Sequence, residues 1–199
     1  MYKRQRRVAG FLRFIGLFNA AVWVGGSVFF SFLAGSVFFS PEVTQITPPP
    51  YNGLVAQAML ERYFLLHYIC GGVATVHLFA DWLEKRGIFP KRQTLYVAVL
   101  LGLALIGGKW ISPKLTIWHQ QKYQFQTKTE GTPPMIEPKA YSSEVTQDAK
   151  LKFSIWHGVS QTVNLVMLII LVWRFWRLVN PTTGQAQTYV QSKRNLFSS

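Results

Sequence analysis

Four apolar runs, each bounded by charge or proline, divide this chain. Val8–Phe39 carries only Arg13 as a charge and Asn19 as a strongly polar residue. As one helix of about 48 Å at 1.5 Å per residue, it exceeds a hydrocarbon core of roughly 30 Å, so it tilts or projects. Gly16, Ala20, Ala21 and Gly25 are the small residues on which a neighbouring helix would pack closely. Ser40-Pro41 stops this run. Leu54–Arg62 reads as an amphipathic lead-in on the surface.

The second run, Tyr63–Leu83, places His67, Cys70, Ala74, His77 and Asp81 at steps of 3, 4, 3 and 4. That is the spacing of one inward seam. The third, Thr94–Ser112, is the most uniformly aliphatic, and the helix is expected to continue past Pro113 as a short stub before an irregular loop. The fourth, Phe153–Val179, has His157, Ser160, Gln161 and Asn164 at i, i+3, i+4 and i+7, hence on one helical face. A polar stripe on an otherwise apolar span faces away from lipid.

The pattern predicts an all-α, integral-membrane four-helix bundle. The spans fall at about 8–39, 63–83, 94–112 and 153–179, the external loops at 40–62 and 113–152, and a polar tail at 180–199.

Charge refines this picture. The formal net charge is +13, from 21 Lys+Arg against 8 Asp+Glu. Such a balance can mark a nucleic-acid binder. Here the basic residues collect at the ends of apolar runs: Lys3, Arg4, Arg6 and Arg7, then Lys85, Arg86, Lys91 and Arg92, then Arg174 and Arg177. Charge so placed sets topology and meets anionic lipid headgroups, and no nucleic acid is expected. Both termini are therefore expected on the cytoplasmic side, most simply of a bacterial inner membrane. The N-terminal run is too long for a secretory leader and reads as a retained span. The lone Cys70 excludes an internal disulfide and a CxxC metal site.

Two polar clusters follow from that topology. Spans two and four run in the same direction, so His67 and His157 fall at similar depth in the outer half. Ser160, Gln161 and Asn164 lie below His157, and His119 above it. Two facing imidazoles can bind haem b axially, and with Cys70 or His119 they can hold copper. The plainer reading is interhelical hydrogen bonding, since lipid offers polar groups no partners. Asn19, His77 and Asp81 form the second cluster, in the inner half, where the i, i+4 carboxylate can orient the imidazole.

No phosphate loop, nucleophile elbow or HExxH is present, so no enzyme is indicated. Three functions remain. The first is a non-catalytic accessory or structural subunit that docks other membrane proteins. The second is a haem b- or copper-binding protein using His67 and His157 for electron or metal handling. The third is a small proton-coupled transporter using Asn19, His77 and Asp81.

The stretch Gly10–Val43, Pro113, and FSIWHGVSQTVNLV (Phe153–Val166) resemble the family called domain of unknown function 4149, which is related to transmembrane protein 205. The shared features are Trp23 before Gly25 and Gly26, and His157, Gly158, Ser160 and Asn164 in the last span. The resemblance implies a four-span helical membrane protein whose wider relatives include copper-resistance-type and haem-linked proteins. It assigns no ligand.

Overall fold

In the computed structural model, residues 2–85, 89–128 and 135–180 are described. The expected tail lies outside them beyond Asn180. The first rod is α1 (Tyr2–Val28), a π-helical turn at Phe29–Ala34, and α2 (Gly35–Phe38). Short α3 (Pro41–Ile46) leads to α4 (Tyr51–Lys85). The third rod is α5 (Lys91–Leu105), a second π turn at Ile106–Ile111, and α6 (Ser112–Tyr123). A hairpin of β1 (Phe125–Lys128) and β2 (Met135–Pro138) precedes the last rod, α7 (Ser143–Val179).

Local chemistry sets the breaks. Ser40 caps α3 by accepting from the Val43 N–H at 3.4 Å, and Pro41 follows in the first turn, where its missing N–H costs nothing. Ser142 caps α7 in the same way through Val145 at 3.3 Å, with Glu144 in the first turn against the helix dipole. Gln124, left-handed at φ 53°, turns the chain out of α6 into β1. The antiparallel strands pair Phe125 with Pro138 and Lys128 with Met135.

The rods are longer than their apolar runs. Leu54–Arg62 is not a separate surface segment but the opening turns of α4. Within 113–152, expected as loop, the chain is helical to Tyr123 and again from Ser143. The extra turns are too polar to score as membrane, yet their polar groups are satisfied between helices: the Gln57 amide hydrogen-bonds the Thr116 hydroxyl. Pro113 does not end its helix either. A proline ring clashes with the carbonyl one turn back, and the widened π turn just before it relieves that clash.

Four helices, Gly10–Phe38, Tyr51–Glu84, Lys91–Tyr123 and Ser143–Val179, are long and apolar enough to cross a membrane. The chain is thus an all-α protein of multi-pass membrane type. α1 packs against α4 and α7, and α5 packs against the same two. α4 and α7 share no comparable contact and stand on a diagonal. Phe32, Val76, Phe79, Ile106, Ile169 and Trp173 face outward on all sides. An apolar surface of this extent suits acyl chains rather than water.

The half of the bundle away from the hairpin is closely packed. Trp23, Cys70, Ala74, Leu78, Val97, Leu100, Ala104, Met167 and Leu171 form one buried cluster there. Small residues on α1 permit the approach, though not all those expected. A Cβ on Gly16 would strike the His77 imidazole at 2.5 Å, and one on Gly26 the Leu66 side chain at the same distance. Gly25 faces open space.

Candidate functional site

The hairpin half is hollow. A cavity of about 860 Å³ opens between the four rods, lined from Phe39, Pro49 and Lys122 at its mouth to Leu103, Gly107 and Met167 at its floor. Both π turns border it: Phe30 and Ser31 come from the first, Gly107 and Ile111 from the second. A π turn inserts one residue and widens the helix, and such turns recur at functional sites. Here they splay two diagonal rods at one level.

Three layers of side chains line the space. At the mouth, His119 is almost fully buried against the rings of Tyr123, Phe125 and Phe153, at centroid distances of 4.9, 5.5 and 5.7 Å. Gly53 on α4 makes room for it, since a Cβ there would collide with the imidazole. The other face of this aromatic group carries His157, stacked on Phe153 at 5.6 Å and 7°. The Gln161 amide nitrogen lies 3.1 Å from His157 Nε2. The Lys122 ammonium sits 4.9 Å from the Tyr123 ring centroid and 5.0 Å from that of Phe153.

In the middle layer, Asn164 ties three rods. It accepts from the Tyr63 hydroxyl at 2.6 Å and donates to the Ser31 hydroxyl at 2.8 Å. Tyr63 also stacks on Phe30 at 4.2 Å. Each group spans helices that otherwise offer only apolar contact, so each satisfies a polar atom that lipid would leave bare. The floor is apolar: Phe64, Leu103, Val163 and Met167.

His119, His157, Ser160, Gln161 and Asn164 therefore line one cavity. His67 does not join them. It is fully buried one turn below Tyr63, and its Nδ1 accepts the Trp23 indole N–H at 2.7 Å. An indole N–H only donates, so Nδ1 must present its lone pair and the proton of the neutral ring sits on Nε2. Nε2 has no hydrogen-bond partner. Held this way, neither nitrogen of His67 is free to ligate a metal, and the expected axial pair of His67 and His157 does not fit haem b or copper. The other expected ligands are dispersed as well. Cys70 lies in the packed half, its carbonyl accepting from Asn19 at 2.9 Å, while His119 is at the cavity mouth. Among the described residues no three or more His, Cys, Asp or Glu side chains converge as a metal site. Asn19 and His77 share the seam between α1 and α4, with Asp81 one turn further along α4.

Arg174 departs from its sequence reading most. It was expected to close the fourth span as an interfacial charge. Instead it is 1% exposed, with its guanidinium 5.9 Å from the Trp23 ring centroid and its Nε without a partner. The signal was present: Met167, Leu171 and Arg174 follow at steps of 4 and 3, which keeps them on one inward stripe. Lys122, Tyr63 and Ser31 were also not singled out, because each belongs to the cavity only through the contacts of neighbouring rods.

No curated protein and no solved structure matches this chain, and nothing in the comparisons extends the likeness to transmembrane protein 205. One family model matches residues 18–124, the first three rods and their connections, but not the His157–Asn164 stripe. That match covers more than half of the 199 residues, and the chain belongs to the family described as domain of unknown function DUF4149.

Proposed function

We propose that this protein is a membrane-embedded binding protein whose cavity takes up an amphipathic, lipid-like molecule. One observation carries the reading: the bundle is close-packed in one half and hollow in the other, and the hollow is where its polar side chains converge. A volume of about 860 Å³ falls within the range of small-molecule sites, which runs roughly from 300 to 1,000 Å³. Interhelical hydrogen bonding alone would close such a space, because every buried void forfeits contacts. For this reason ligand uptake is better supported than a purely structural, accessory role. With both termini inside, as the basic residues suggest, the mouth opens to the outer face.

The layering supports a ligand with one polar end. Polar groups crowd the mouth and apolar ones the floor. From Phe153 to Met167 along α7 the cavity is about 21 Å deep at 1.5 Å per residue, enough for a hydrocarbon chain. The test is native mass spectrometry of protein released gently from its own membrane. One bound lipid-sized molecule per chain is expected, and it should be lost in Ala56→Phe and Ser160→Phe, two fillings of the cavity wall. Retention of the same adduct by both filled variants, each with an unchanged melting temperature, would place the lipid on the outer surface and defeat the proposal.

A further inference from the structure

The cavity has a charge asymmetry that narrows its ligand class. None of its lining residues is an aspartate or glutamate, whereas Lys122 and two imidazoles, His119 and His157, stand together at the mouth. The ammonium rests between the Tyr123 and Phe153 rings, near enough to both imidazoles to act on them electrostatically. Tyr123, Phe125 and Phe153 wall this corner off with apolar surface, in which an uncompensated cation attracts an anion more strongly than in water. Gln161 and Asn52 add further amide groups to the lining.

Resting on the cavity reading above, we infer that the ligand is a single-chain amphiphile with an anionic head, a carboxylate or a phosphate, seated against Lys122, His119 and His157. The ammonium supplies the charge. Gln161 and the imidazole N–H groups supply hydrogen bonds to the head oxygens. The chain lies along Tyr63, Phe64 and Val163 toward Met167. A charge-assisted hydrogen bond is stronger than a neutral one, so the head should dominate selectivity while the chain dominates retention.

Binding of radiolabelled oleate, 1-oleoyl lysophosphatidate and oleyl alcohol to the full-length protein in an uncharged detergent tests this, at a pH where the carboxylate is ionised. Both anions should bind about tenfold or more tightly than the alcohol, the effect of one charge-assisted contact. The tighter of the two anions distinguishes a free fatty acid from a phosphate-headed lipid. Lys122→Gln should abolish the difference without weakening the alcohol, and Lys122→Arg should restore it. Equal affinities for oleate and oleyl alcohol, or an unchanged preference in Lys122→Gln, would overturn the anionic head and leave the cavity reading intact. Absence of binding by all three chains would overturn the cavity reading itself.

Discussion

Trp23 donates its indole N–H to His67 Nδ1 at 2.7 Å, joining α1 to α4 at the boundary between the solid and hollow halves of the bundle. The bond fixes the imidazole tautomer and hence what His67 can do. Trp23→Phe leaves a buried acceptor with no donor and should cost about 1–3 kcal/mol. Adding His67→Phe should cost much less in that background than in the native protein, because the pair acts as one unit. Unfolding in mixed micelles measures both. A Trp23→Phe protein as stable as the native one would show that the bond contributes nothing.

Asn164 is the only residue of the polar stripe on α7 with a recorded hydrogen bond to another rod, and it bonds two of them. Asn164→Leu should lower stability by about 1 kcal/mol, in line with interhelical hydrogen bonds in membranes. Ser160→Ala, one turn away, should change it little. Equal effects from the two substitutions would contradict the assigned division between clamp and lining.

Arg174 stacks its guanidinium on Trp23 inside the bundle, with Nε unpartnered. Burying such a charge is expensive, and a volume-matched apolar residue often does as well or better. Arg174→Met should therefore melt at the native temperature or above. A marked fall would mean that the guanidinium meets an anion when the protein is in its membrane, and metal-free anion titration would then be the next measurement.

The glycines offer a paired comparison. Gly53→Val drives a side chain into His119 and should cost about 1–3 kcal/mol by overpacking, with loss of ligand at the mouth. Gly25→Ala meets nothing and should stabilise its helix by up to about 1 kcal/mol. Thermal melts of the two proteins should move in opposite directions.

The amino-acid pattern reveals the four rods, because apolar runs of this length have few other uses. It also reveals the stripe His157, Ser160, Gln161 and Asn164, because a period of 3.6 puts them on one face whatever the neighbours do. It fails where geometry depends on another rod. His67 looks like a ligand until Trp23, 44 residues earlier, takes its lone pair. Arg174 looks like an interfacial charge because arginine near a span end usually is one, and its inward phase with Met167 and Leu171 is visible only if composition is set aside. The cavity itself has no linear signature: it arises from two π turns, and neither Phe29–Ala34 nor Ile106–Ile111 differs in composition from ordinary helix.

Those two turns also govern how the chain tolerates changes of length. Deleting one residue inside either would restore an ordinary α-helix and swing every later side chain by about 100° around its axis. Ser112, Leu115 and His119 would then leave the interior together, and the mouth would lose its histidine without any substitution at that position. Insertions and deletions should accordingly be tolerated between the rods, at 47–50 or 139–141, and rejected at these two short stretches where the helical count runs one residue long.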